Sequence, residues 1–305
     1  MLKSEDEIPM RIPFLITSLL LSFTVACQSV PPKPPFVDVH THYNWDQEEL
    51  VSPQQALQIL RENNVQLAVV FGTPSHNVLK LSDISDGLVV PFFSPYIKGQ
   101  SRHNWFYDEQ VLQLARAGLA EGRYHGIGEV HVVSSFGPRR DNPILQGLLK
   151  LAAEFDVPFT IHTEASDYRF LSRLCQQHDK VRFLWAHAGG ILGPEHSEGI
   201  LRDCPNVWIE LSARDPKHYG GIVDEAGHLR QGWREVLLAH PDRFMVGTDP
   251  VWNAHQIERW YEADEGWLHF HEFIDFHNKW LSELPAHVAD QVRYKNGMVF
   301  FGRTP

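Results

Sequence analysis

Eight strand-like runs alternate with helical stretches along most of the chain, and this alternation limits the folds that it can adopt. The runs are apolar and rich in β-branched and aromatic residues, and they occupy Phe36–His42, Gln66–Phe71, Leu88–Pro95, Gly126–Val133, Val157–His162, Val181–His187, Asn206–Leu211 and Arg243–Thr248. Segments with helical periodicity separate them, including Pro53–Asn63, Asp108–Glu121, Pro143–Phe155, Asp167–His178 and Leu229–His240. Repeated βα units predict a parallel α/β sheet. At 305 residues, we predict that this sheet closes into a (β/α)8 TIM barrel, with an open doubly wound sheet as the alternative.

The overall composition is that of a soluble globular protein with an acidic balance of charge. Hydrophobic residues make up 43% of the chain and charged residues 21%, and the formal net charge at pH 7 is -11. Because binding to duplex nucleic acid requires Lys and Arg to displace counterions, this charge argues against a nucleic-acid partner. We therefore expect a small-molecule substrate, and the composition leaves the oligomeric state open.

The N-terminal segment has the features of an export signal. Ile12–Ala26 is apolar, ends in small residues and is too short for a comfortable membrane span. Phe23–Cys27 resembles the end of a bacterial lipoprotein signal, which implies that Cys27 is lipidated. A Pro-rich stretch then reaches Pro35. We predict a signal peptide over residues 1–26, a tether over residues 27–35 and a single barrel domain over residues 36–305.

This interpretation places the protein outside the cytoplasm, anchored by its lipid to a bacterial membrane and facing the periplasm or the cell surface. The N-terminal anchor is then the one expected contact with the membrane. Plain secretion and an uncleaved anchor are the alternatives, and the true start is either Met1 or Met10. Cys175 and Cys204 could pair in an oxidising compartment, but the sequence leaves their pairing open.

Six side chains that commonly bind metals stand at or near the ends of predicted strands. They are His40, His42, Glu129, His162, His187 and Asp249. Residues two apart on a strand point to the same face, so both imidazoles of the His-x-His run can reach one cation. In a parallel barrel, functional groups gather at the carboxyl ends of the strands. Imidazoles together with carboxylates suit Zn²⁺ or a similar divalent metal, which lowers the pKa of bound water.

These positions resemble the metal-dependent hydrolases of the amidohydrolase superfamily, in particular its amidohydrolase-2 and TatD-like branches. The His-x-His of the first strand, the histidines of strands five and six, the Asp of strand eight and the tail from Asn296 to Gly302 carry the resemblance. The resemblance implies one metal held by His40, His42 and Asp249, a second held by His162 and His187, and Glu129 as a bridge. In single-metal relatives, the ion is held by His40, His42, His162 and Asp249. The resemblance also implies that Asp249 is the general base.

Two further residues are candidates for contact with the substrate. His131 lies two residues beyond Glu129, so both share one face of the fourth strand, and His131 meets either the substrate or a ligand. Arg214 follows the seventh strand and could bind a carboxylate or phosphate, with a surface ion pair as the alternative. On that strand, the polar face that should point to the barrel mouth consists of Trp208, Glu210 and Ser212.

The sequence therefore predicts an enzyme that uses one or two divalent ions, with Zn²⁺ as the first choice, to cleave a small ester, lactone, amide or phosphoester. A metal-dependent decarboxylase of the amidohydrolase-2 type is the first alternative. A TatD-like nuclease fits the acidic charge poorly, and a non-enzymatic binding lipoprotein would be expected to have lost a ligand. The strand ends do not name the substrate, because the loops select it.

Overall fold

The structure, a computed structural model, describes residues 32–98, 104–132, 137–163, 166–252 and 262–305. From Lys33 onward these residues belong to one unit that ends at Pro305. The predicted signal peptide, the lipidation residue Cys27 and most of the predicted tether lie outside the described residues. Within the ranges given above, no helix combines the length and the apolar character of a membrane span.

All eight predicted strands are present, and the pairings between neighbouring strands are parallel. They are β1 (Phe36–His42), β2 (Val65–Phe71), β3 (Val89–Pro91), β4 (Ile127–His131), β5 (Phe159–His162), β6 (Phe183–Trp185), β7 (Val207–Glu210) and β8 (Phe244–Met245). Most are shorter than predicted, and β8 keeps only two residues. Beyond it the chain still runs along β1, where the amide and the hydroxyl of Thr248 bond to the Asp38 carboxylate at 2.9 and 2.6 Å.

Helices alternate with these strands, as the periodicity predicts. The α-helices are α1 (Pro53–Glu62), α2 (Leu79–Ser82), α3 (Gln110–Ala120), α4 (Pro143–Glu154), α5 (Arg169–Gln177), α6 (Pro194–Asp203), α7 (Gln231–Ala239), α8 (Phe270–Leu281), α9 (Ala286–Asp290) and α10 (Asn296–Phe300). Local sequence sets two of the starts: Ser52 and Gln55 cap α1 reciprocally, and the Asn142 side chain accepts the first free amides of α4. A π-helical turn over Gln291–Lys295 joins α9 to α10.

Two runs of hydrogen-bonded strands make up the barrel, one from β1 to β3 and one from β4 to β8. A parallel bridge between Phe93 and Ile127 spans the gap between β3 and β4. Across the other gap, the amide of Val39 on β1 donates to the carbonyl of Val246, just beyond β8, at 3.1 Å. These links join the eight strands in one parallel ring, so the predicted TIM barrel is confirmed.

The C-terminal helices cover the amino end of the barrel. The side-chain amide of Asn296 donates to the carbonyls of Pro241 and Phe244, at 2.7 and 2.8 Å, where β8 begins. Phe300 packs against Trp208 of β7, with ring centroids 5.0 Å apart. This packing leaves the carboxyl ends of the strands as the end of the barrel at which a site can open.

Gly247 lets the chain after β8 lie directly against β1, beside the first predicted metal ligand. A Cβ at this position would stand 2.6 Å from the Cβ of His40 and 2.9 Å from its backbone nitrogen. A contact this short with backbone cannot be relieved by rotating a side chain. The same glycine offers its carbonyl to the ring of His277 on α8, at 2.8 Å. Close approach at this seam therefore requires glycine.

Cys175 of α5 and Cys204, which follows α6, form a disulfide. Both residues are buried, and their Cα atoms lie 6.1 Å apart, a usual separation for this bond. The cross-link joins positions 29 residues apart and ties the ends of neighbouring helices together. The pairing that the sequence left open is made in the structure.

We expect Gly247→Ala to lower the free energy of unfolding by roughly 1–3 kcal/mol, the usual range for overpacking an interior contact. The new methyl group would collide with His40, so the seam must open or His40 must move. Gly232→Ala on α7 is the matched control, because its Cβ would meet only the Pro194 ring, at 3.0 Å. Chemical denaturation followed by circular dichroism measures both, and equal stabilities would contradict the close approach.

Candidate metal centre

β1 delivers two imidazoles to the carboxyl end of the barrel. The Nε2 atoms of His40 and His42 lie 3.2 Å apart, as expected for residues on one strand face. Beside them stand the carboxylates of Glu129, from β4, and Asp249, which follows β8. The seam between β1 and β8 unites the distant positions, because the Asp249 amide donates to the His40 carbonyl at 2.7 Å.

The donor atoms of this group are spaced as the ligands of a single ion would be. The Nε2 atom of His42 lies 3.4 Å from Glu129 Oε2 and 3.5 Å from Asp249 Oδ1. The Nε2 atom of His40 lies 3.7 and 3.9 Å from the same two oxygens. Donors bound tetrahedrally to Zn²⁺ at about 2.0–2.2 Å stand roughly 3.4 Å apart. These four side chains therefore fit a divalent cation.

Glu129 faces two more histidines with its other oxygen. The Nε2 atom of His187 lies 3.3 Å from Glu129 Oε1 and 3.8 Å from Asp249 Oδ2. The Nδ1 atom of His162 lies 2.5 Å from Glu129 Oε1, at hydrogen-bonding distance. All six residues proposed as ligands from the sequence are thus brought into one cluster at the carboxyl ends of the strands.

Glu210 of β7 holds two of these imidazoles from behind. Its Oε1 lies 3.0 Å from His40 Nδ1 and accepts the backbone amide of His187 at 2.6 Å. Its Oε2 accepts the amide of Ser212 at 2.7 Å, and the Ser212 hydroxyl contacts His187 Nδ1 at 2.8 Å. Partners at Nδ1 turn the Nε2 atoms of both histidines towards the centre, which is how metal-binding histidines are commonly oriented. The polar face predicted for β7 therefore supports the ligands.

The electrostatics of the centre favour positive charge. Burial would raise the pKa of Glu210, but the imidazoles of His40 and His187 and its hydrogen bonds lower that pKa to about 2. Burial would lower the pKa of His40, but the carboxylates of Glu210, Glu129 and Asp249 raise it to about 10. Carboxylates packed closely in an interior require compensating positive charge. A divalent metal ion can supply that charge in place of protons on the imidazoles.

Asp38 fixes the position from which Asp249 enters the centre. Its carboxylate accepts the amide and the hydroxyl of Thr248, and also the amide of His40 at 3.1 Å. Burial raises the pKa of Asp38 to about 7, although these hydrogen bonds oppose the rise. Because Thr248 directly precedes Asp249, the bonds hold the last turn of chain before the proposed general base.

Arg214, one of the two candidates for substrate contact, is buried outside this cluster. Its side chain is 1% exposed, its guanidinium stacks over Trp233 at 4.8 Å, and its Nη2 donates to the Leu192 carbonyl at 3.1 Å. The alternative of a surface ion pair is therefore wrong, because the side chain packs beneath the loop after β6. A role in substrate binding stays a prediction. Trp208 also misses the mouth, since it lies towards the amino end of β7 and packs on Phe300.

His131, the other candidate, lies in the cluster and brings a tyrosine with it. Its ring stacks on that of His162, with centroids 4.4 Å apart and an interplanar angle of 26°. The Tyr96 hydroxyl lies 2.5 Å from His131 Nδ1. A second tyrosine, Tyr219, places its hydroxyl 3.4 Å from His162 Nε2 and its ring 5.4 Å from that of His187. The sequence analysis selected neither tyrosine. Only Tyr96 carried a signal, its place just after the third predicted strand, whereas Tyr219 lies in an irregular loop.

Known proteins share this fold. Among solved structures, a TatD homologue from Escherichia coli is 16% identical, with 87% of this chain and 97% of that chain covered and a TM-score of 0.61. A probable 2-pyrone-4,6-dicarboxylic acid hydrolase from Acinetobacter baumannii is 14% identical, with coverage of 88% and 100% and a TM-score of 0.58. The 2,6-dihydroxybenzoate decarboxylase from Rhizobium is 11% identical, with coverage of 88% and 98% and a TM-score of 0.52. No curated protein sequence matches the chain.

At these identities the solved structures establish the fold, and the family follows from a different comparison. The family model described as Amidohydrolase matches residues 101–303, which is more than half of the chain. That span contains Glu129, His162, His187 and Asp249, four of the six clustered side chains. The chain therefore belongs to the amidohydrolase family, and it is an enzyme of the amidohydrolase type.

Proposed function

We propose that this enzyme is a metal-dependent hydrolase that cleaves a small ester, lactone, amide or phosphoester at the carboxyl end of its barrel. The observation that carries the proposal is the donor spacing of the centre. The two imidazoles of β1 lie 3.4–3.9 Å from the carboxylates of Glu129 and Asp249, which suits shared coordination of one divalent ion. Membership of the amidohydrolase family supports the same chemistry.

Zn²⁺ is the ion that we propose, in one or two copies, because imidazole and carboxylate donors suit it. Bound there, a divalent cation would polarise the scissile group of the substrate and lower the pKa of water. The chain itself orients the donors, through Glu210 and Ser212 behind the imidazoles and Asp38 beside the seam.

We propose that Asp249 accepts and returns a proton. Its side chain is 13% exposed, whereas those of His40 and Glu129 are 0% and 3% exposed, so Asp249 lines the open side of the cluster. A carboxylate there can take a proton from water that attacks the substrate and deliver it to the leaving group. Its backbone has a φ of 42°, a left-handed conformation that is unfavourable for most residues and is often found at functional sites.

The substrate is proposed to approach from this open side. His42 and His131 share it with Asp249, because their side chains are 10% and 15% exposed. We propose that His131 contacts either the substrate or an ion there. Arg214 could reach a substrate carboxylate or phosphate only if the loop after β6 moved, since its side chain lies beneath that loop.

A metal-dependent decarboxylase is the second candidate function, favoured by the likeness to 2,6-dihydroxybenzoate decarboxylase. Release of carbon dioxide from a panel of aromatic and dicarboxylic acids, without turnover of hydrolase substrates, would identify it. A TatD-like nuclease is less compatible with the net charge of -11. A non-enzymatic binding protein is less compatible with a cluster that keeps every proposed ligand.

Asp249→Asn should lower turnover by about 10²–10⁴-fold, because an amide cannot accept the proton. The measurement is steady-state kinetics on Zn²⁺-loaded protein with whichever member of an ester, lactone, amide and phosphoester panel is cleaved, expressed per bound ion. Asp141→Asn is the matched control, since Asp141 is 71% exposed and pairs with Arg139 on the surface. Turnover within about threefold of the wild type would remove Asp249 from this role.

Glu210→Gln should weaken binding of the first ion by about 10–100-fold, because His40 and His187 would lose the carboxylate that orients them. Competition with a chromophoric chelator measures this affinity directly and does not depend on activity. Glu235→Gln on α7 is the control, since Glu235 is exposed and bonds only to Gln231 among the described residues. Equal affinities in the two variants would contradict the support that we assign to Glu210.

We also propose that the protein is exported and anchored to a bacterial membrane through a lipid on Cys27. The disulfide between Cys175 and Cys204 supports a location outside the reducing cytoplasm. In the native host, the mature N-terminal peptide should begin at Cys27 and carry diacylglycerol, as read by mass spectrometry of the membrane fraction. A mature protein that begins elsewhere and lacks the lipid would exclude the anchor.

A further inference from the structure

We propose that Glu129, His131 and His162 form a second cation site, with His131 in the position that the family resemblance assigns to His187. This inference rests on the proposed function, since it concerns a second ion beside the first. Nε2 of His131, not of His187, would then join Glu129 and His162 in binding that ion.

The pairing of β4 with β5 brings these three side chains together. His131 and His162 are register partners across the two parallel strands, and their rings stack with centroids 4.4 Å apart. Glu129 precedes His131 by two residues and therefore shares its strand face. One ligand atom from each of the three residues lies within 4.8 Å of the others.

The distances to Glu129 distinguish a pair of potential ligands from a pair that shares a proton. His131 Nε2 lies 3.7 Å from Glu129 Oε2, which is too long for a hydrogen bond and suits two donors on one ion. His162 Nδ1 lies 2.5 Å from Glu129 Oε1, so these two atoms share a proton. A cation bound there would take the place of that proton, which would move to solvent or, by tautomerisation, to His162 Nε2, 3.4 Å from the Tyr219 hydroxyl.

Tyr96 contacts His131 at the ring nitrogen that faces away from Glu129, as hydrogen-bond partners of metal-binding histidines do. The Tyr96 oxygen accepts the backbone amide of His131 at 3.0 Å and lies 2.5 Å from its Nδ1. The oxygen has two lone pairs, so it can accept the Nδ1–H as well. In that tautomer the free lone pair is on His131 Nε2, which lies 3.7 Å from Glu129 Oε2. A hydrogen bond at the far ring nitrogen is the usual support for a ligating imidazole.

We assign His187 to the first ion through its contacts away from Glu129, although its Nε2 also lies 3.3 Å from Glu129 Oε1. Its Nδ1 contacts the Ser212 hydroxyl at 2.8 Å, and its Nε2 lies 3.8 Å from Asp249 Oδ2. Its ligand atom groups with those of His40 and Asp249. Glu129 contacts both groups, since its Oε2 lies 3.7 Å from the Nε2 atoms of both His40 and His131.

The test is a count of bound ions in the full chain after chelator stripping and reloading with Zn²⁺ or Co²⁺. We expect two ions per chain in the wild-type protein and one in His131→Gln, whose remaining ion should bind within about threefold of the wild-type affinity. Tyr96→Phe keeps every ligand and should hold two ions, the second one about 10–100-fold more weakly. Elemental mass spectrometry gives the counts, and chelator competition gives the affinities.

His125→Gln is the matched control, because His125 is exposed and precedes β4 at the other end of the barrel. It should hold two ions. Circular dichroism of each stripped variant shows whether it is folded. If His131→Gln does not fold, the affinity of Tyr96→Phe for the second ion tests the inference instead. Two ions of unchanged affinity in His131→Gln would overturn the inference. So would loss of the second ion in His187→Gln if His131→Gln keeps that ion. A single ion in the wild-type protein would also overturn it but leave a one-metal hydrolase intact, whereas binding of no ion would defeat the proposed function itself.

Discussion

The seam where β8 meets β1 is the constraint on which the rest of the structure depends. Gly247 has no side chain, so the two segments approach until the Asp249 amide reaches the His40 carbonyl at 2.7 Å. Asp38 strengthens the same seam by binding Thr248, 210 positions further along the chain. These contacts involve the proposed ligands or their direct neighbours. The same contacts that close the barrel therefore bring the ligands of the centre together.

The interior of this barrel mouth is stable only if its polar groups are matched. A buried carboxylate or imidazole without a partner costs several kcal/mol, and the centre gathers at least eight such groups. On the side away from the centre, the protein itself supplies hydrogen-bond partners. Glu210 accepts the amides of His187 and Ser212 and contacts the ring of His40. The inward sides, Nε2 atoms and carboxylate oxygens, face one another across 3.2–3.9 Å. A divalent cation would supply the positive charge that this arrangement requires.

Particular residues show which parts of the site could be predicted from the sequence pattern and which could not. His40 and His42 could be assigned to one face because a strand repeats every two residues, and Glu129 could be placed because it stands on an apolar run of the same kind. Arg214 could not be placed, since its burial against Trp233 depends on a helix and a loop that arrive from elsewhere. Tyr219 could not be predicted as part of the site for a similar reason. It lies in an irregular loop after β7, and only the fold of that loop brings it to His162.

Short-range periodicity is a property of neighbouring residues, so the residue pattern alone established the eight βα units, the acidic balance of charge and the strand ends at which His and carboxylate groups would collect. Which of these His and carboxylate side chains lie close enough to share an ion depends on distances between segments that meet only when the ring of strands closes. Register between β4 and β5 sets His131 beside His162, and contacts at Nδ1 leave Nε2 as the nitrogen that faces the centre in His40, His131 and His187. Those choices belong to the tertiary structure, because hydrogen-bond partners and donor spacings exist only once distant strands lie side by side.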